Sequence, residues 1–163
     1  EEIERFLKET LGVNQIIWLG DGIAGDDTDG HIDDIARFVK PATVVCARAA
    51  NARDENYAAL EENYQRLAAA RDASGAKLEV ITLPSPAPLA YEGARLPASY
   101  ANFYIANELV LVPVFDDPAD SAALGILQEV FPGRRVVGLQ CADVVAGLGA
   151  IHCVTQQEPR GRY

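Results

Sequence analysis

The sequence has no methionine, one tryptophan, two histidines and three cysteines. The missing methionine includes the first position: the chain opens Glu1-Glu2-Ile3-Glu4, already inside a helical pattern. A cytoplasmic protein starts with an initiator, so these residues are expected to be a piece of a longer polypeptide; processing or unresolved residues would look the same. The cysteines Cys46, Cys141 and Cys153 are odd in number and widely spaced, which excludes a disulfide framework and a CxxC metal signature. A reduced, cytoplasmic setting fits. No apolar run approaches a membrane span, and no signal-peptide pattern is visible. Cationic residues are scarce: 14 Lys and Arg stand against 24 Asp and Glu, a formal charge of −10. That argues against nucleic acid and anionic membranes as partners. It favours a cationic ligand, because a negative field concentrates cations. What remains is a soluble globular chain of 163 residues, 49% hydrophobic and 23% charged, enough for one core of ordinary size.

What the chain has in excess is acid, in one place. Gly25-Asp26-Asp27-Thr28-Asp29-Gly30-His31-Ile32-Asp33-Asp34 holds five carboxylates and one of the histidines, and runs into the apolar Ile35-Ala36-Arg37-Phe38-Val39. A second stretch near the other end, Gly149-Ala150-Ile151-His152-Cys153-Val154-Thr155, carries the second histidine beside a cysteine. The two are expected to meet.

Periodicity organises the rest. Ile3, Phe6 and Leu7 share one helical face, with Gly12 as a stop. Asn14 to Leu19 reads as a strand. Another is expected from about Ile32 to Val39, and a third from Thr43 to Ala47 after the turn Lys40-Pro41-Ala42. Tyr57, Leu60, Tyr64, Leu67 and Ala68 place a helix from about Asp54 to Asp72. Lys77 to Leu83 alternates as a strand. Pro84 to Pro97 is a proline-rich loop, in which Tyr91 and Arg95 could cover a site. Strands are expected at Ala101–Ala106 and Leu109–Phe115. Asp117-Pro118 reads as a helix start, Pro132-Gly133 as its end, and Arg135–Leu139 as a strand. A strand–turn–strand–helix–strand unit is therefore expected twice, roughly at 31–83 and 101–140, with a third begun near Ala150. Such units bury their faces against neighbours, so this α/β chain would form an open arc.

His31 and Asp33, if extended, would present an imidazole and a carboxylate to one side, with Gly30 allowing a sharp turn before them. The competing reading is a solvated acidic loop with an incidental histidine. A calcium loop fits poorly: Asp27-x-Asp29-Gly30 matches part of the EF-hand pattern, but its first and twelfth positions would be Gly25 and Ala36. His31, His152 and Cys153 do not show a recognised zinc spacing. Cys153 taken alone reads as a packed core residue. Glycines on its N-terminal side suggest close approach of a ligand, and the polar Thr155-Gln156-Gln157-Glu158-Pro159 places it near an element end. A neighbouring imidazolium or a cationic substrate would favour its thiolate. His31 is the expected partner and His152 the weaker candidate, since neighbours on a strand face opposite sides.

At these residues the chain resembles a known family. Gly25-Asp26-Asp27-Thr28-Asp29-Gly30-His31-Ile32-Asp33 is similar to the H-x-D motif of the agmatine deiminases and of their relatives, the Porphyromonas-type peptidyl-arginine deiminases. Leu96-Pro97-Ala98-Ser99-Tyr100-Ala101-Asn102-Phe103 and Val112-Pro113-Val114-Phe115 resemble segments between their catalytic motifs. Gly147 to Gln157 resembles their nucleophile motif, with the cysteine last in I-H-C. The resemblance implies a pentein propeller of five ββαβ modules without metal or cofactor, of which residues 1–163 would be the C-terminal part, an open arc of two to three modules. It implies that Cys153 attacks a guanidinium carbon, His31 transfers protons and Asp33 binds guanidinium nitrogens. The substrate would be agmatine, giving N-carbamoylputrescine and ammonia in polyamine biosynthesis. Peptidyl-arginine or another guanidine is the alternative substrate, and an inactive fragment that only binds or assembles is the alternative class. Homo-oligomerisation stays open. The family also uses an aspartate on the guanidinium and a glutamate beside the histidine, both in its N-terminal half. Nothing upstream of Glu1 supplies them here, and Asp27 and Asp29 are not reassigned to those roles. The segment expressed alone is expected to be inactive.

Overall fold

A computed structural model describes residues 2–27, 30–158 and 160–161. Its helices and strands run, in order, α1 (Glu2–Leu11), β1 (Ala36–Lys40), β2 (Thr43–Arg48), α2 (Tyr57–Ala69), β3 (Glu79–Pro84), β4 (Ala90–Tyr91), β5 (Ala94–Arg95), β6 (Tyr104–Ile105), β7 (Leu109–Val114), α3 (Asp120–Val130) and β8 (Arg135–Gln140). The sheets are open: β1-β2-β3, the small hairpin β4-β5, and β6-β7-β8. In each three-stranded sheet the first pair is antiparallel and the second parallel, joined by a crossover helix. The repeated unit expected from periodicity is therefore present twice. We refer to β1-β2-α2-β3 as the first unit and β6-β7-α3-β8 as the second.

The middle strands read as their burial demands. β2 is Thr43-Val44-Val45-Cys46-Ala47-Arg48, buried over its first five residues and paired on both edges, so it is apolar without alternation. β7 carries Val110 and Val112 at 0% exposure. The parallel ladders are equally long, Thr43↔Glu79 to Arg48↔Pro84 and Leu109↔Arg135 to Val114↔Gln140. Starting both ladders together places Val44 against Val110. The antiparallel pairs Phe38↔Val44 and Ile105↔Val110 then make Phe38 and Ile105 equivalent. Counting back along each strand, Ile35 corresponds to Asn102. The backbone agrees: Ile35 N donates to Ile32 O at 3.0 Å and Asn102 N donates to Ser99 O at 3.3 Å, the same turn before each first strand.

Several expected elements are shorter or absent. Residues 14–19 form no strand. Their exit is held by α2 instead: Asn63 Oδ1 accepts from Gly20 N at 2.6 Å, and Asn63 Nδ2 donates to Asp21 O at 2.9 Å. Ile32–Asp34 is a 3-10 turn, and β1 begins only at Ala36. The strand expected over 101–106 shrinks to Tyr104–Ile105, because the backbone before it is engaged elsewhere. Phe103 O accepts Arg37 Nη1 at 2.7 Å, and Asn102 O accepts His152 N at 3.2 Å. α2 starts at Tyr57 rather than near Asp54, whose carbonyl closes the turn before it. Asp117 accepts Ala119 N at 2.8 Å, one turn ahead of α3. The 84–97 loop contains the β4-β5 hairpin. Near Ala150, Thr155 N donates to His152 O at 3.1 Å, but no strand follows Gln140 among the described residues.

One core joins the two units. Tyr100 and Phe103 are fully buried between them, with Ile35, Leu60, Leu83 and Leu127. Tyr100 lies 5.6 Å from Phe115 and Phe103 lies 5.9 Å from Phe131, ring centre to ring centre. Tyr100 Oη donates to Asp120 Oδ1 at 2.6 Å, which satisfies the hydroxyl inside the core. The segment before the second unit is thus fixed to the core, and it borders the acidic loop.

Candidate functional site

The acidic loop is shaped by its own backbone. Gly30 has φ +123, a conformation that L side chains rarely adopt, and a Cβ on Gly22 would lie 2.6 Å from Gly30 Cα. Asp26 Oδ2 accepts the N–H groups of Gly30 at 3.1 Å and His31 at 2.6 Å. Thr28 and Asp29 lie outside the described residues. His31 is exposed. The 3-10 turn that follows overturns the extended geometry expected for His31 and Asp33, since consecutive side chains of such a turn do not alternate between two faces. It turns Asp33 to a half-buried position and Asp34 to 2% exposure.

The cysteine segment leaves β8 through a 3-10 turn, Val144–Gly147, and Leu148 at φ 65. A Cβ on Gly149 would lie 2.7 Å from Cys153 Cβ and 3.1 Å from its Sγ. The close approach at Gly149 is therefore made by Cys153 itself, whereas a Cβ on Gly147 would meet nothing within 4 Å. Residues 151–154 form turns, so the strand argument against His152 also fails. Cys153 is exposed, whereas Cys46 and Cys141 are buried.

The two segments meet. A ring nitrogen of His31, a carboxylate oxygen of Asp33 and Cys153 Sγ all lie within 4.8 Å of one another. Cys153 Sγ is 3.5 Å from Asp33 Oδ2, and His152 Nδ1 is 2.6 Å from the same oxygen. Asn102 sits beneath them at 0% exposure. Its Nδ2 lies 3.1 Å from Asp33 Oδ2, 2.9 Å from Asp34 Oδ1 and 3.1 Å from Cys153 Sγ. Its Oδ1 accepts His152 N at 2.9 Å. Ser99 Oγ adds a bond to Asp34 O at 2.7 Å.

Burial, then the charge of Asp33, pushes the Asp34 carboxyl up to about 7, against the bond from Asn102. Partial desolvation of its sulfur, despite the exposure of the residue as a whole, raises Cys153 above an ordinary thiol; the Asn102 hydrogen bond opposes that shift, and the charges of Asp33 and Asp34 add to it. Cys46, deeper still, is pushed up by burial to about 12 and is inert. His31, Asp33 and Cys153 could together hold a cation. Ligation would need Cys153 as thiolate, while its desolvation and the two carboxylates favour the thiol.

Other sequence candidates lie apart from this cluster. Arg95 pairs with Asp54 at 2.8 Å, and a Cβ on Gly25 would collide with the Arg95 carbonyl, so Arg95 anchors the loop rather than reaching Cys153. Tyr91 is exposed and lines a different depression, with Leu89, Leu96 and Ala146. A cleft of about 550 Å³ opens beside the acidic loop, lined by Asp21, Asp26, Glu55 and Glu62; Cys153 does not line it. Asn102 and Asp34 were not expected at the site, and His152 was the weaker of the two histidine candidates. The available signal for Asn102 was one amide inside the apolar run Tyr100-Ala101-Asn102-Phe103.

The chain is similar to known proteins in sequence and fold. A family model described as Porphyromonas-type peptidyl-arginine deiminase matches residues 1–159. A protein provisionally named agmatine deiminase from Legionella pneumophila (strain Paris) is 42% identical over 161 residues, covering 98% of this chain and 46% of the relative. A structure provisionally named arginine deiminase from Porphyromonas gingivalis aligns with a TM-score of 0.92 at 44% identity, over 96% of this chain and 47% of that one. The agmatine deiminase of Enterococcus faecalis aligns with a TM-score of 0.91 at 38% identity, over 97% of this chain and 48% of that one. The chain spans about half the length of the curated relatives it matches.

Proposed function

The chain belongs to the Porphyromonas-type peptidyl-arginine deiminase family, and from that premise we propose that it carries the nucleophilic half of a guanidine deiminase whose substrate is agmatine. The observation that carries this reading is the gathering of His31, Asp33 and Cys153 within 4.8 Å, from segments 120 residues apart. The likeness to proteins named agmatine deiminase supports the choice of substrate.

The described bonds of Asp33 fall on Oδ2, which leaves Oδ1 for a guanidinium N–H. Charge-assisted bonds of this kind are strong and directional. The bound cation also lowers the cost of a thiolate at Cys153, offsetting the carboxylates that raise it. The sulfur adds to the guanidinium carbon, and the C=N electron pair moves onto nitrogen. His31 protonates one amino group, the C–N bond breaks and ammonia leaves, giving an amidino-cysteine cation. Water adds to its carbon and passes a proton to His31. The C–S bond then breaks, the thiolate returns, and the product sheds its hydroxyl proton to become a urea. That proton matches the one ammonia takes up as ammonium. In this reading the two ββαβ units are two of five modules in a pentein propeller, and no cofactor takes part.

The three free cysteines suit a reducing cytoplasm, and among the described residues no helix is long and apolar enough to cross a membrane. The family description favours a second reading, deimination of arginine in peptides. The full-length protein should be offered agmatine, free arginine and an arginyl peptide in parallel, with the ureido product measured by colour. Ureido product from agmatine alone supports the first reading, product from the peptide the second. No product from any of them overturns both and leaves a fragment that only binds or assembles.

A further inference from the structure

His31 has an exposed side chain that makes no bond to cap the 3-10 turn behind it. Its backbone, by contrast, is held twice. His31 O accepts Asp34 N at 3.2 Å, and His31 N donates to Asp26 Oδ2 at 2.6 Å. The same oxygen accepts Gly30 N at 3.1 Å. Two successive N–H groups thus converge on one acceptor, as backbone amides do around an anion. The turn that presents them has Gly30 at φ +123 followed by His31 at φ −59. Here the anion is the chain's own carboxylate, and hydrogen bonds to a charged acceptor are the stronger ones.

Asp26 can hold a neighbour in place only if it is fixed itself, and each of the three residues before it meets the scaffold. Ile23 belongs to the core, and its carbonyl accepts Asp26 N at 3.3 Å. Ala24 N donates at 2.7 Å to Oδ1 of the buried Asn56, the residue before α2. Gly25, at φ +89, lies so close to the Arg95 carbonyl that a Cβ would come within 2.3 Å of its oxygen, and Arg95 is tied to Asp54 at 2.8 Å. The carboxylate is therefore mounted on the first unit and crosses the acidic loop to reach the histidine.

We propose that Asp26 is a positioning residue: its carboxylate, anchored to the core, the start of α2 and the β4-β5 hairpin, fixes the backbone of His31 so that the imidazole stands at Cys153. The proposal deepens the deiminase reading and rests on it for the role of His31 in proton transfer. Asp33 has anchors of its own, with His152 Nδ1 at 2.6 Å and Asn102 Nδ2 at 3.1 Å from Oδ2, so substrate binding should depend on Asp26 less than proton transfer does. A displacement of about 1 Å in a catalytic group can cost about 10²-fold in rate.

In the full-length protein, Asp26→Ala should lower kcat for agmatine about thirtyfold while KM stays within about threefold of wild type. Asp26→Asn keeps an acceptor oxygen and should come back to within about fivefold of the wild-type kcat. An unchanged kcat in folded Asp26→Ala, a KM that rises as far as kcat falls, or equal losses in the two variants overturns the proposal. A measurement without turnover covers a variant that fails to fold. The wild-type His31 amide proton should exchange with solvent about 10²-fold more slowly than in an unstructured peptide of the same sequence, although the residue is exposed. Exchange at the peptide rate overturns the proposal. Slow exchange that is lost in Asp26→Ala, in a protein that turns over no guanidine, supports the link from Asp26 to His31 and counts against the deiminase reading alone.

Discussion

The first and second units share a six-pair parallel ladder, a crossover helix and the same backbone turn before the first strand, yet they put different chemistry on that turn. In the first unit it presents His31, Asp33 and Asp34, and closes on the apolar Ile35. In the second it presents the packed Tyr100 and closes on the polar Asn102. β1 is five residues long and pairs with β2 at four of them, whereas β6 is two, which frees the chain before it to bond sideways. A repeated scaffold thus holds one unit's reactive groups against the other's support. The division of labour depends on small departures from the repeat: an amide for an isoleucine, and Pro113, which has no N–H, for Ala47, whose N–H bonds Ile35 O in the first unit.

The largest effect should come from the group that neither turn supplies. Cys153→Ala in the full-length protein should lower ureido formation by at least about 10³-fold, since removing a nucleophile disables the whole unit of residues that acts with it. Activity within tenfold of wild type would break the proposed mechanism. Making the first unit resemble the second comes next. Ile35→Asn should destabilise the protein by about 3 kcal/mol in a urea titration, because an amide in that apolar cluster loses water without gaining the partners Asn102 has. Asp33→Asn should cost about 10²-fold in kcat/KM for agmatine, with a smaller loss in the affinity for an uncharged urea-like inhibitor, because a carboxylate is exchanged for a neutral group facing a cation.

Asp34 sharpens the comparison through pH. Its folded value of about 7 lies above the ordinary aspartate value of about 3.9, so the folded state binds more protons than the unfolded one between those limits. Its contribution to stability is therefore lost as pH rises through 7. Between pH 5 and 7 the wild type should lose about 2 kcal/mol more than Asp34→Asn, read from urea midpoints at each pH. The smallest effect concerns placement. Gly149→Ala would set a methyl group 2.7 Å from Cys153 Cβ and should reduce activity about tenfold with little change in melting temperature. An unchanged rate would mean that the turn relaxes without moving the sulfur.

Much of the fold was legible because burial writes itself as periodicity. Val44 to Ala47 and Val110 to Val112 are apolar since both faces of a central strand are covered, and Leu60, Tyr64 and Leu67 mark the packed side of α2. The errors fell where side chains replace a ladder. Asn63 binds the backbone at Gly20 and Asp21, so the stretch before it, apolar enough for a strand, forms none. Asn102 and Phe103 spend their carbonyls on His152 and Arg37, so β6 is cut short. Periodicity records which residues are dry, not where a carbonyl finds its donor.

The same division applies to the site. The sequence alone determined its ingredients: an acid-rich loop with one histidine, a cysteine beside the other, and the spacing of a known family. Those are local properties, carried by residue type and order. Only the tertiary structure decided that His152 lies on Asp33, that Gly149 makes room for Cys153, and that one buried asparagine joins both carboxylates to the sulfur. Apart from the Gly149 contact, these link positions 50 to 120 residues apart. No local pattern encodes them; they follow from how two similar units pack across Tyr100 and Phe103, and from a proline that leaves one carbonyl without its usual donor.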